Sequence, residues 1–265
     1  MPKIIITALI CLFLVACATT TSETVNSNST KTRKTSKANL KDASELNTQL
    51  GIGYIQQKQY KPARDKLEKA IEQNPENVKA YKTLAYLYAL LGLTEEAEII
   101  YSEALDLTPN DPDLSNYYGA FLCNNGKYED AQKHLKVAYS DPFYESRYLA
   151  QSNAGSCFIK QKEYKKAEAL LRQSLRVNST LPGSLISMAE IGIKTERYLM
   201  ARAYIQRYHN VKPASAESLW LQIQAERALG AEKHYLKYAR QLINEFPDSD
   251  EAGWVEAQAK NEQFR

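Results

Sequence analysis

Residues 50–75, LGIGYIQQKQYKPARDKLEKAIEQNP, and residues 84–109, LAYLYALLGLTEEAEIIYSEALDLTP, align without a gap at an offset of 34. Their shared positions are spaced as helices require. Leu50 and Tyr54 stand one turn apart on a first helix, and Ala63, Leu67 and Ala70 share one face of a second. Tyr81, Leu84, Ala85, Tyr88, Ala97, Tyr101 and Ala104 fill the corresponding places of the next unit. Small residues let two helices approach, and large ones fill the space beside them. Pro75 and Pro109 end each unit, because proline lacks an amide hydrogen and disfavours helix in the residue before it.

The period continues along the chain. Ala63, Ala97 and Ala131 are 34 apart, Ala167 comes two residues late, and Ala201 resumes the spacing, which places a two-residue insertion near Asp141-Pro142-Phe143-Tyr144. A third unit reads Tyr118, Gly119, Leu122, Ala131, Leu135 and Ala138, and a fourth reads Ala154, Gly155, Phe158, Ala167 and Leu171. The fifth keeps Met188, Ala189, Ala201, Ile205 and Pro213, but Gly192 stands where a large side chain is usual and is expected to loosen the packing. A degenerate sixth spans about Ala216 to Pro247, with Trp220, Ile223, Ala239, Leu242 and Phe246. No single hairpin buries its own apolar face, so several must stack. This pattern resembles the tetratricopeptide repeat (TPR). The resemblance implies an all-α right-handed superhelix of about six helix-turn-helix repeats over residues 44–247, followed by a capping helix or tail at 248–265.

At the amino end, Lys3 precedes an uncharged apolar stretch, Ile4 to Ala16, that ends in Leu14-Val15-Ala16-Cys17. The stretch is shorter than the ~20 residues a bilayer-spanning helix needs, so residues 1–16 read as a signal peptide. The four residues resemble a lipobox. That likeness implies cleavage before Cys17, lipid on its thiol, and, with Ala18-Thr19 following and no aspartate, a place in the inner leaflet of the outer membrane facing the periplasm. Residues 17–43 are rich in Ser, Thr, Asn and Lys and are expected to form a disordered tether. Within them Lys31, Arg33, Lys34, Lys37 and Lys41 make a basic run, read as solvated charge. The whole chain carries only +3, with 34 Lys and Arg against 31 Asp and Glu, so it lacks the charge footprint of a nucleic-acid binder.

Once Cys11 leaves with the signal and Cys17 takes lipid, Cys123 and Cys157 remain in an oxidising compartment, each on the first helix of its repeat. They are expected to form a disulfide, the alternative being two buried free thiols acting as small apolar residues. No metal site is expected, since no histidine accompanies them at ligand spacing. His134, His209 and His234 are scattered, with His134 read as a surface residue, and no nucleophile elbow or phosphate loop occurs. The chain is expected to bind rather than catalyse, and to need no cofactor.

In TPR arrays the first helices line the ligand groove. That geometry puts Ile52, Ile55, Lys79, Lys82, Tyr86 and Leu90 on an apolar strip flanked by lysines, suited to a helix or extended peptide. Asn116, Asn124, Ser152, Ser156 and Glu190 form a more polar part of the same groove. The stretches Leu46 to Ile55, Asn116-Tyr117-Tyr118-Gly119-Ala120-Phe121-Leu122-Cys123 and Asn153-Ala154-Gly155-Ser156-Cys157 resemble the PilF/PilW family of type IV pilus lipoproteins. That resemblance implies a pilotin, which escorts the pilus secretin to the outer membrane and promotes its multimer assembly; the chain is expected to be a monomer. A periplasmic scaffold for cell-wall or outer-membrane assembly enzymes would have the same fold and is the alternative function.

Overall fold

The computed structural model describes residues 24–263, with side chains described for residues 36–258. Among the described residues there are thirteen helices and no strand. They are α1 (Thr24–Gln56), α2 (Tyr60–Gln73), α3 (Val78–Leu90), α4 (Thr94–Leu107), α5 (Pro112–Asn124), α6 (Tyr128–Ser140) and α7 (Arg147–Lys160). α8 (Tyr164–Val177), α9 (Pro182–Lys194), α10 (Tyr198–His209), α11 (Ala216–Ala228), α12 (Glu232–Glu245) and α13 (Asp250–Gln263) complete the chain. Two compact units divide it after Leu84.

A backbone feature marks the repeat independently of side chains. Lys58, Gly92, Gly126, Lys162, Glu196 and Gly230 all have φ between 57° and 76°, one in each turn between a first and a second helix. Their spacing is 34 residues throughout except between Gly126 and Lys162, where it is 36. The extra residues lie in the α6–α7 connection at 141–146, where Phe143 is 90% exposed. Glycine enters this left-handed region freely; Lys58, Lys162 and Glu196 do so at a steric cost of about 1–2 kcal/mol.

In the first unit, α1 packs on α2 through Gly51. A Cβ there would lie 2.6 Å from Leu67 Cγ, so only glycine permits the approach. Ala63, Leu67 and Ala70 are fully buried on α2. Beneath them, Ser44 Oγ donates to the Ala70 carbonyl at 2.7 Å, and Asn77 Nδ2 donates to Ser44 Oγ at 2.8 Å and Thr48 Oγ1 at 3.0 Å. α1 also runs back to Thr24, through much of the segment expected to be disordered. Residues 36–42 of it are solvent-exposed or nearly so, apart from an ion pair of Lys41 with Glu76 at 3.6 Å. Helix there is an extension of the packed part, carried by good helix formers such as Lys37, Ala38, Leu40 and Lys41. Residues 1–23, including the expected signal peptide and Cys17, lie outside the described residues.

The second unit repeats the same contact. Cβ atoms at Gly119 and Gly155 would meet Leu135 Cγ at 2.7 Å and Leu171 Cγ at 2.6 Å. Neighbouring first helices lie side by side in the order α5, α7, α9, α11 and α13. Apolar clusters fill the layers between them, one around Leu171, Leu185, Met188 and Ile191, the next around Ala189, Ala201, Ile205 and Leu221, and the last around Leu219, Ile223, Leu242 and Val255. Asp111 caps α5, accepting from Leu114 N–H at 2.7 Å, and Ser215 caps α11 in a capping box with Ser218. One carboxylate goes deep: Glu226, 2% exposed, accepts from Arg202 Nε at 2.9 Å and Nη2, and from Gln222 Nε2, tying α11 to α10.

Gly192 corrects an expectation. It does not loosen the fifth repeat, because a Cβ there would sit 2.8 Å from both the amide nitrogen and the Cβ of Ala201. The α10 backbone has closed onto the missing side chain. His134 is also corrected, since it is half-buried with its ring 4.8 Å from that of Tyr118, and burial lowers its pKa. Substitution Gly192→Ala is therefore predicted to lower the unfolding free energy by about 1–3 kcal/mol in urea titrations. A loosely packed site would instead gain about 0.5–1 kcal/mol from replacing a helical glycine.

Candidate protein-binding surface

The first helices α5, α7, α9 and α11 of the second unit are buried over most of their surface, and the stripe each leaves open follows a helical register. On α11 the residues left open include Glu217, Trp220, Gln224 and Arg227, at i, i+3, i+7 and i+10. On α9 they include Ile186, Glu190 and Ile193, and on α5 Asp113, Tyr117, Ala120 and Asn124. With α7 lying between α5 and α9, its Asn153, Ser156 and Lys160 open on the same side, the stripes adjoin and form one face. Its chemistry changes along its length.

At the α3–α5 end the face is aromatic. Tyr86 and Tyr117, 42% and 39% exposed, meet edge to face with ring centroids 6.1 Å apart, and Leu90 is exposed on α3. In the middle it is a polar ladder. Tyr144, from the inserted connection, donates its hydroxyl to Asp113 Oδ1 at 2.9 Å; Asn153 Nδ2 donates to Asn116 Oδ1 at 2.9 Å. Lys160 Nζ donates to Asn124 Oδ1 at 2.9 Å, and Ser156 and Ser187 share a hydrogen bond of 2.8 Å. Burial, with Asp113 alongside, pushes the Tyr144 hydroxyl well above its ordinary value. At the α9–α13 end, Trp220 and Trp254 pack with centroids 5.4 Å apart, beside a pocket of ≈ 350 Å³ lined by Ile193, Tyr198, Ile223, Gln224, Arg227 and Gln258, among others.

The candidate residues read from the sequence fall in different places. Ile52, Ile55, Lys79 and Lys82 belong to the first unit, and Tyr86 and Leu90 to the second. Ile52 and Ile55 are half-buried on α1. Lys79 Nζ already donates to Glu45 Oε1 at 2.8 Å, which holds the Glu45 carboxyl below its ordinary pKa. Both partners are exposed, so that pair contributes little, about 0–1 kcal/mol. Cys123 and Cys157 are brought together: α5 and α7 are joined by a disulfide with Cα atoms 5.8 Å apart, both cysteines buried. Closing a loop of this length contributes about 2–4 kcal/mol. The bond locks the two helices that carry the polar ladder.

The Trp220–Trp254 end was not read as a site from the sequence, although the spacing Glu217, Trp220, Gln224, Arg227 was its visible signal. Among the described residues, no group of three or more His, Cys, Asp or Glu side chains is arranged to hold a metal ion.

The stacked hairpins, the left-handed turn in every repeat and the open face of the first helices define a tetratricopeptide-repeat protein. A family profile described as a tetratricopeptide repeat matches residues 54–119, and one described as anaphase-promoting complex, cyclosome, subunit 3 matches residues 91–174. The type IV pilus assembly protein PilF of Pseudomonas aeruginosa is 29% identical over 208 residues, covering 78% of this chain and 82% of PilF. The crystal structure of PilW, a widely conserved type IV pilus biogenesis factor, matches with a TM-score of 0.74 at 29% identity, over 80% of this chain and 97% of PilW. The structure of Pseudomonas aeruginosa PilF gives 0.73 at 28% identity, over 83% and 99% of the two chains. This chain is a homologue of PilF and PilW.

Glu190 gives the face a measurable signature. Burial raises its carboxyl pKa most, and Glu217 adds to the rise, while Lys194 and Lys160 oppose it. A carboxyl raised in the folded state favours folding below its unfolded pKa, and that advantage is lost as pH rises through the folded value. Glu190→Gln is predicted to raise the melting temperature by about 1–3 °C at pH 7 and to leave it unchanged near pH 4, by calorimetry at both pH values.

Proposed function

We propose that this chain is a type IV pilus biogenesis factor of the pilotin kind: a lipoprotein that binds the pilus secretin through its first-helix face and promotes the secretin's outer-membrane targeting and multimer assembly. The observation that carries this reading is the likeness to PilW and PilF across 97% and 99% of those chains, at 29% and 28% identity. The Leu14-Val15-Ala16-Cys17 motif supports a lipid anchor on Cys17 in the inner leaflet of the outer membrane, with the repeats in the periplasm.

The work asked of the protein is positional. A lipid on Cys17 gives the complex its membrane address, and the repeat face holds a secretin segment. Once anchored, bound subunits share a surface, so their effective concentration rises and ring closure is favoured without covalent chemistry. The face is suited to this because it mixes aromatic side chains, which supply most interface energy, with a preformed polar ladder that orients a backbone.

The test is the secretin itself. Deleting the gene, or replacing Cys17→Ser, is predicted to reduce heat-stable secretin multimers in the outer-membrane fraction at least five-fold while monomer accumulates. Normal multimers in the deletion, with altered cell shape or lysis, would instead support a scaffold for cell-wall enzymes.

A further inference from the structure

Elsewhere in the second unit, half-buried and buried carboxylates have partners: Asp111 and Asp141 accept from backbone N–H groups and Asp113 from the Tyr144 hydroxyl, while glutamates are given cations. Glu226 has Arg202, and Glu168 has both Arg172 and Arg197 at 2.6 Å. The face formed by α9, α11 and α13 breaks this habit. Glu190 is half-buried and has no hydrogen bond or ion pair among the described residues, with Lys160 and Lys194 acting on it only at a distance. Glu217 is more exposed and also has no hydrogen bond or ion pair among the described residues; the atoms around its carboxyl, and then the neighbouring Glu251, raise its pKa.

Next to these carboxylates in the same register stand two large rings. Trp220 and Trp254 pack on each other, and Trp254 keeps 48% of its surface open. The open pocket beyond them is lined by Ile193, Ile223 and Tyr198 with the amides of Gln224 and Gln258, the latter held by Arg227, so the pocket itself takes an apolar side chain and the cation stays with the carboxylates. A half-buried carboxylate without a cation bears a desolvation cost that an incoming cation relieves, and an exposed tryptophan beside an open pocket of mixed lining is suited to anchor a partner's aromatic or branched side chain.

We infer that the α9–α11–α13 face docks a peptide segment in which a lysine or arginine lies beside an aromatic or branched apolar side chain. The cation meets Glu190 and Glu217, with the Trp220 and Trp254 rings available to its stem, and the apolar side chain enters the pocket by Ile193 and Ile223. This deepens the proposed function, since it rests on the reading that the first-helix face binds protein. It assigns the basic segment to the carboxyl-terminal repeats, away from the aromatic pair at Tyr86 and Tyr117.

The test uses the whole chain with Cys17→Ser and a randomised decapeptide library, so that no partner has to be assumed. Three variants accompany it: Glu190→Gln with Glu217→Gln, Trp254→Ala, and Tyr117→Ala as a comparison at the other end of the face. The selected peptides are expected to be enriched in Lys or Arg within three residues of Phe, Trp or Leu. Their affinity, by fluorescence anisotropy, is expected to fall at least ten-fold in the first two variants and less than two-fold in Tyr117→Ala. The glutamine pair keeps the fold, checked by circular dichroism, because it removes only carboxylates that lack partners.

Selection of acidic or uncharged peptides, or equal binding by wild type and the glutamine pair, would overturn the inference even if the secretin binds elsewhere on the chain. Basic-aromatic selection that depends on Glu190, Glu217 and Trp254, in a chain that fails to bind the secretin, would uphold it and contradict the pilotin reading alone.

Discussion

The contact on which the structure depends is the crossing of the two helices in a hairpin, which in the first, third and fourth repeats is made at a glycine of the first helix and in the second and fifth at an alanine, Ala85 and Ala189. At Gly51, Gly119 and Gly155 a single added carbon would lie within 2.8 Å of a leucine on the second helix. That closeness buries Leu67, Leu135 and Leu171 completely and holds the hairpins tight enough to stack. Stacking in turn leaves α5, α7, α9 and α11 little more than one stripe each to present to solvent. The open face is thus a by-product of how the core is closed.

The face itself is stiff where it is polar and open where it is aromatic. Asp113, Tyr144, Asn116 and Asn153 hold one another in place, and the Cys123–Cys157 disulfide fixes the helices beneath them. Preformed donors and acceptors cost little further ordering when a peptide arrives. The two aromatic pairs, Tyr86 with Tyr117 and Trp220 with Trp254, lie at opposite ends of this stiff centre. Such a layout suits a ligand held at two places along its length, with hydrophobic anchors at each and hydrogen bonds between.

Much of the fold was legible because its signals are local and periodic. Ala63, Ala97 and Ala131, with Ala167 delayed by two residues, give the period and the insertion from spacing alone. What was not legible depends on pairs of helices. Lys58, Lys162 and Glu196 take a backbone conformation usually reserved for glycine, and nothing in those side chains announces it; the stacked repeats impose it. Gly192 looks like a missing aromatic until the Ala201 backbone is seen against it. Of the candidate surface, the sequence pointed to the first helices as its carrier and to Cys123 and Cys157, which the fold brings together. It placed the emphasis at Ile52 and Leu90, because the Trp220–Trp254 contact joins residues 34 apart in a repeat whose register is degenerate.

The central claim is that the stripe left open on the first helices is the surface a partner touches. A photo-crosslinking amino acid placed singly at Tyr117, Ser156 and Trp254, and at Lys136 and Lys165 on the second helices, tests it directly in cells that make the type IV pilus secretin. The account predicts secretin adducts from the first three positions and none from the last two. Adducts confined to Lys136 and Lys165 would contradict it and move the interface to the opposite side of the repeats.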